Sequence, residues 1–361
     1  MRDLARRHGP VMMLRLGEVP TLVVSSPEAA QEGLKTHDTV FATRALSATV
    51  RAGTMGGRDI AFAPYGDYWR QLRKIAATEL LSAPRVASFR AIREEEAAAD
   101  GRAVELRAAL CALVTDSTSR AVVGDRCKES DALIRAFDRS MELASGFNPA
   151  DLWPSSRLAG LLSGGVREIE ANLHTVFGIL DRLIEKRQQQ KKTAPSSAAG
   201  EDILDALLRL HKEGGGLQFP LDMDSIKLII ADLFSGGGET VATLLVWAMA
   251  ELIRNPMAMQ KATMEEFRPE RFEDGAEAVD LRGNNFELLP FGAGRRMCPG
   301  MAFALANIEL TLASLLFHFD WEVPDMADPA KLDMTETLGI TARRKGDLLL
   351  RPVLRMPVPG V

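Results

Sequence analysis

Cysteine is scarce in this sequence and poorly placed for cross-linking. Cys111, Cys127 and Cys298 are far apart, odd in number and free of any CxxC spacing. That excludes a disulfide framework and a zinc site of the usual spacing, and it fits a reducing compartment. An excess of positive charge is also missing: 44 basic residues stand against 49 acidic ones, for a formal charge of −5. The basic footprint that a nucleic-acid binder needs is therefore absent. The charged opening residues Arg2, Asp3, Arg6 and Arg7 do not read as a signal peptide, and no internal repeat is evident. Uninterrupted apolar runs are lacking too. The most apolar stretch, 228–252, contains Asp232, three consecutive glycines and Glu239, which suits a buried core helix better than a membrane span.

What is present is a chain of 361 residues, 46% of them hydrophobic, enough to bury a substantial core. Two short apolar runs, 11–16 and 21–25, flank Gly17-Glu18-Val19-Pro20 and predict a hairpin. Ser26-Pro27-Glu28 supplies a capping hydroxyl, a proline and an acid for a helix over 29–34. The spacing predicts an amphipathic helix over 68–80 and mostly helical sequence over 86–187, broken near Gly124, at 148–156 and at Gly164-Gly165. The polar tract 188–200 reads as a surface loop. Residues 224–254 predict a helix of about eight to nine turns, stopped by Asn255-Pro256. After Glu265 comes a meander rich in proline, glycine and charge, then a helix over 301–317 and a final strand near 348–351. The expectation is one mainly α domain, 1–361, with minor β.

Three constellations carry chemistry. Phe291, Gly294, Arg296, Cys298 and Gly300 occupy every specified position of FxxGxRxCxG. Cys298 lies just before a helix whose amides and dipole favour the charged form of a thiol. Gly294 and Gly300 let backbone approach a flat ligand, and Arg296 offers donors for a carboxylate. The second constellation is Gly236-Gly237-Gly238-Glu239-Thr240 within the long helix. Each interior glycine costs about 1 kcal/mol relative to alanine, so three together need a compensating close approach, unless they divide the helix in two. The third is Trp69 and Arg73, four apart and hence on one helix face.

Together, and in this order, these segments resemble the cytochrome P-450 family. Phe267-Arg268-Pro269-Glu270-Arg271-Phe272 resembles the family's meander, and His318-Phe319-Asp320-Trp321 follows the last long helix. The resemblance implies a cytochrome P-450 fold and haem b, with Cys298 as the axial iron ligand. Trp69, Arg73 and Arg296 would hold the propionates, and Gly237, Phe291, Gly294 and Gly300 would line the cofactor. Glu239 and Thr240 would deliver protons. It further implies O2, a small apolar substrate near 46–62, 233–237 and 337–340, and electrons from NADPH through a cytochrome reductase. The style is that of a plant microsomal enzyme of specialised metabolism, on the cytosolic face of the endoplasmic reticulum membrane, or cytosolic if the chain is as written.

The family pattern is incomplete here. The usual anchor helix is not seen, and Met257 to Glu265 runs directly into Glu266-Phe267-Arg268-Pro269. Helices and strands that carry an ExxR pair belong at that junction. Glu251 to Arg254 and Glu265 to Arg268 match ExxR formally but stand in the wrong context. Arg271 would lose its ionic partners, a change worth roughly 3 to 5 kcal/mol when such a network is buried. The hairpin would lose its neighbouring strands. The expectation is weak haem binding or none, with a non-catalytic remnant as the alternative reading and a peroxide-rearranging relative as another.

Overall fold

A computed structural model of the chain describes residues 2–89, 104–124, 130–145, 148–193, 201–214, 216–263, 281–324, 328–337 and 339–356. The meander motif and the second ExxR match, Glu265 to Arg268, lie outside the described residues. A short helix, Arg2–His8, precedes the predicted hairpin, β1 (Val11–Leu16) with β2 (Val19–Val24). Val11 faces Val24 and Leu16 faces Val19 across it. The Ser26 hydroxyl accepts the Ala29 amide at 3.3 Å and caps the helix Pro27–Gln31, as the Ser-Pro-Glu triplet predicts.

The longer helices are α1 (Asp67–Ile75), α2 (Leu106–Val123), α3 (Ser130–Leu143), α4 (Gly165–Thr193), α5 (Ile203–Glu213), α6 (Met223–Arg254) and α7 (Met301–His318). The architecture is mainly α with minor β. Two expectations need correction. The helix foreseen over 68–80 is regular only to Ile75 and continues as a π-helical turn, Ala76–Leu80. The loop foreseen over 188–200 is helical as far as Thr193, because Gln and Lys propagate a helix well and no Gly or Pro interrupts 188–193.

The 32 residues of α6 rise about 48 Å at 1.5 Å each, enough to cross a domain of this size. Asp222 caps it by accepting the Ser225 amide at 2.9 Å, and a new short helix begins at Pro256. By length and composition α6 and α7 could cross a membrane. Here α6 forms a wall shared by two core clusters. One gathers Trp69, Leu72, Leu180, Leu204, Leu207 and the first half of α6 up to Phe234. The other gathers Leu110, Val114, Leu316, Leu350 and the second half of α6 from Val241. The glycine triplet lies at the waist between them.

The triplet does not divide the helix. A Cβ at Gly237 would lie 3.3 Å from Thr118 Oγ1 and 3.6 Å from Phe303, and one at Gly238 would lie 3.4 Å from Thr115 Oγ1. These two glycines let α2 and α7 approach α6 closely, whereas a Cβ at Gly236 meets nothing within 4 Å.

The remaining strands are short: β3 (Val104–Glu105), β4 (Phe319–Glu322), β5 (Glu336–Thr337), β6 (Arg343–Arg344) and β7 (Leu349–Leu354), ordered β3-β7-β4 in one sheet and β5-β6 in another. The hairpin β1-β2 pairs with no other strand among the described residues, and Val11, Met13, Leu22 and Val24 on it are exposed. Apolar unpaired edges of this kind invite association.

The two kinds of glycine separate experimentally. Gly236→Ala is expected to raise the unfolding free energy by about 1 kcal/mol, the helix-interior difference between the two residues. Gly237→Ala adds a methyl against Thr118 and is expected to gain less or to lose about 1 to 3 kcal/mol. Denaturant titration followed by circular dichroism measures both, and equal gains would remove the close-packing account.

Candidate functional site

The FxxGxRxCxG segment folds as a loop leading into α7. Gly294–Arg296 forms a 3-10 turn, and the Cys298 amide returns to the Phe291 carbonyl at 2.9 Å. Gly294 has φ +63, and a Cβ there would collide with the Leu34 carbonyl oxygen. Glycine is needed on both counts. Arg295 pairs with Asp38 at 2.9 Å, so the loop is seated against the segment that follows the hairpin. The Cys298 side chain is exposed.

Trp69, Arg73 and Arg296 come together beside this cysteine. The Arg296 guanidinium stacks 4.3 Å from the Trp69 ring centroid, and that of Arg73 lies 5.6 Å from it. Arg73 donates to the Met297 carbonyl at 2.7 Å. Arg296 donates to the carbonyls of Ala42 and Ala63, each at 2.5 Å, and the Trp69 indole donates to the Ile60 carbonyl at 3.2 Å. Arg44, which the motifs did not single out, joins them by donating to the Ala61 carbonyl at 3.0 Å.

Like charge shows in the electrostatics of the cluster. Burial, with Arg44 and Arg73 nearby, pushes the Arg296 guanidinium down to about 10. Burial also lowers Arg73, helped by Arg44 and opposed by Cys298. Among the described residues, no ion pair is formed by Arg44, Arg73 or Arg296. Three guanidiniums held in place by carbonyl dipoles make a site for an anion.

Glu239 and Thr240 face different surroundings. The Glu239 carboxylate is paired with Arg343, lies 3.1 Å from Arg107, and accepts the Thr243 hydroxyl at 2.9 Å. Asp138 extends this network at 2.7 Å from Arg343. Thr240 is exposed and donates its hydroxyl to the Gly236 carbonyl. Gly236, Thr240 and Leu244 are all exposed at a spacing of four, an open stripe on an otherwise buried helix. Gly237, read above as a cofactor contact, faces Thr118 and Phe303 instead of this stripe. Phe303, five residues beyond Cys298, ties the cysteine loop to the waist of α6, and the Ser117 to Asn307 hydrogen bond at 3.2 Å ties α2 to α7.

Of the segments foreseen at the substrate, 46–62 and 233–237 meet near Asp232, which accepts the Ile60 amide at 2.8 Å. Ile340 is exposed, and the nearby Ala342 carbonyl accepts the Trp247 indole at 2.8 Å. Arg44, Asp59 and Asp232 are the residues that motif reading missed. Only the charge of Asp232 inside an apolar run could have flagged one of them.

The cytochrome P-450 family model matches residues 1–266 and 263–350. Premnaspirodiene oxygenase of Hyoscyamus muticus is 36% identical over 439 positions, covering 97% of this chain and 87% of the relative. Dolabradiene monooxygenase of Zea mays is 36% identical, covering 98% and 87%. A zebrafish cytochrome P-450 solved with progesterone superposes with a TM-score of 0.73 at 20% identity, covering 97% of each chain. The family match breaks at 263–266. An alignment of 439 positions against 361 residues leaves at least 78 positions, the difference of the two, opposite gaps in this chain. The chain is internally shortened at the junction near Glu265 and Glu266.

Exposure and thiol chemistry predict selective alkylation. Burial pushes the Cys111 thiol up to about 11, while Cys298 is open to reagent. Near pH 8, iodoacetamide is expected to label Cys298 roughly tenfold or more faster than Cys111. Peptide mass mapping over time checks this, and equal rates would contradict the placement of the loop.

Proposed function

The chain belongs to the cytochrome P-450 family, and on that premise we propose that it is built as a haem-thiolate monooxygenase acting on a small apolar molecule in plant specialised metabolism. The observation that carries this reading is the cluster of Arg44, Arg73 and Arg296 around Trp69, beside an exposed cysteine. Its donor set fits haem b: cationic side chains without ion pairs suit two propionates, and a thiol suits the iron. When bound, the haem supplies activation of O2 and transfer of one oxygen atom to the substrate.

The other roles fall to the chain's own residues. Cys298 would hold the iron through its thiolate, and Arg73 and Arg296 would hold the propionates, with Trp69 packed between them and the loop 58–63. The open stripe of α6 leaves room at Gly236 and Leu244 for apolar substrate. The Thr240 hydroxyl holds a proton at that stripe. Glu239 relays a proton only by loosening its hold on Arg343 and Arg107. Electrons come from NADPH through a cytochrome reductase, and the enzyme works at the cytosolic face of the endoplasmic reticulum membrane. The relatives' printed names, an oxygenase and a monooxygenase of diene hydrocarbons, support an apolar terpenoid substrate.

A second reading, a non-catalytic remnant, is favoured by the break at 263–266. Among the described residues, Arg254 Nε and Arg344 Nε and Nη1 are buried without a hydrogen-bond partner, as expected where acceptors have been removed. Arg271, whose lost partners motivate this reading, lies outside the described residues.

Titration of the purified chain with hemin, followed by reduction under carbon monoxide, separates the two. The enzymatic reading expects a thiolate-type Soret band that Cys298→Ser abolishes. It also expects Arg296→Ala to weaken hemin binding about tenfold, equivalent to about 1.4 kcal/mol. A chain that gives no such band is the remnant. Restoring a relative's missing segment at the junction would then recover the band.

A further inference from the structure

Two carboxylates that the haem-thiolate reading does not use meet beneath the segment 58–63. Asp59 is almost fully buried, and its Oδ1 accepts the Phe62 amide at 2.8 Å. Asp232, one turn before the glycine triplet on α6, reaches across and accepts the Ile60 amide at 2.8 Å. The same short segment turns its carbonyls the other way. Ile60 receives the Trp69 indole, Ala61 receives Arg44, and Ala63 receives Arg296. Tyr68 adds a hydrogen bond to the Arg58 carbonyl at 2.9 Å. Amides thus point at two acids and carbonyls at the cationic cluster.

We propose that Asp59 and Asp232 are positioning residues: their paired carboxyl groups anchor the backbone of 58–63 so that its carbonyls seat Trp69, Arg44 and Arg296 beside Cys298. The proposal rests on the haem-thiolate reading only for the identity of the anion that the cluster receives. The pair also answers an electrostatic problem. Three guanidiniums without ion pairs repel one another, and two acids that resist ionising together place a single negative charge behind them. Burial raises Asp59 to about 6, and Asp232 is raised well above the ordinary range by burial and by the charge of Asp59. Arg44 opposes both shifts, and Asp59 in turn favours the charge of Arg296. Arg58, on the same segment, is occupied by Asp222 and Asp224. Among the described residues no cation forms an ion pair with either acid, and Arg44 acts on them only at a distance, so rising pH is expected to loosen the segment. The sign follows from linkage: a carboxyl raised in the folded state stabilises while protonated, and that contribution fades as pH climbs through the folded value.

The test uses the haem-free chain first. Amide hydrogen exchange of a peptide spanning 58–64, corrected for intrinsic base catalysis, is followed from about pH 4 to about pH 9, a range that spans the Asp59 value of about 6. Wild type is expected to lose protection as pH rises. Asp232→Asn keeps an oxygen for the Ile60 amide and removes the second charge while Asp59 still titrates, so its protection is expected to change less with pH than that of wild type. Asp232→Leu is expected to exchange at least about tenfold faster at every pH, with the α6 peptides unchanged. Hemin affinity is the second readout, expected to fall about tenfold in Asp232→Leu and to be rescued in Asp232→Asn. If wild type and Asp232→Asn share one pH dependence, the shared charge is overturned, even where the leucine variant fails to fold. If Asp232→Leu folds and protects 58–63 as wild type does, the anchoring is overturned. A wild-type chain that binds no hemin overturns the haem reading alone, and the exchange arm still decides the positioning claim.

Discussion

Repulsion among the guanidiniums of Arg44, Arg73 and Arg296 is the constraint around which the site is organised. Side chains of one sign gather only where something else holds them. Here carbonyls of 42, 61, 63 and 297 accept from them, and Trp69 offers its ring to two of them. Those acceptors lie on three separate stretches of loop, at 42, 61–63 and 297, so the loops must be held before the charges can converge. Gly294 seats the cysteine loop against Leu34, Arg295 pairs with Asp38, and two acids grip the amides of 60 and 62.

The long helix α6 makes this arrangement compatible with a packed interior. Its two halves each belong to a core cluster, and the glycine waist between them admits α2 and α7 on one side while Gly236 and Thr240 stay open on another. A helix that is apolar on nearly all faces is one that is covered on nearly all faces. The open stripe is therefore the informative exception, and it lies at the level of Phe303, one turn into the helix that follows Cys298.

The break at 263–266 divides the family match. Among the described residues, the hairpin β1-β2 stands without a third strand and guanidinium nitrogens of Arg254 and Arg344 are buried without acceptors. The cysteine loop, however, takes its contacts from residues 34–73, on the side away from that junction in sequence. The cysteine loop is thus braced by the N-terminal part of the chain.

Much of this was legible in the residues themselves. The hairpin, the Ser26 cap, the extent of α6 to within one residue of its start, and the five fixed positions around Cys298 follow from local chemistry: alternation, capping oxygens, helical period and glycine at positive φ. The grouping of Trp69, Arg73 and Arg296 followed from resemblance to a family. Other features needed the tertiary structure because they depend on partners distant in sequence. Glu239 reads as a neighbour of Thr240, yet its partners are Arg107 and Arg343, supplied by α2 and β6. Gly237 reads as open, yet Thr118 closes it. Asp59 and Asp232 carry no motif, since an isolated acid in a loop and another in a helix become a pair only when burial brings their charges to one place. The sequence alone determined which residues carry the thiol and the cations. Only the packing of α2, α7 and the 58–63 loop on α6 decided which of them come together, because facing is set by contacts between elements and not by spacing within one.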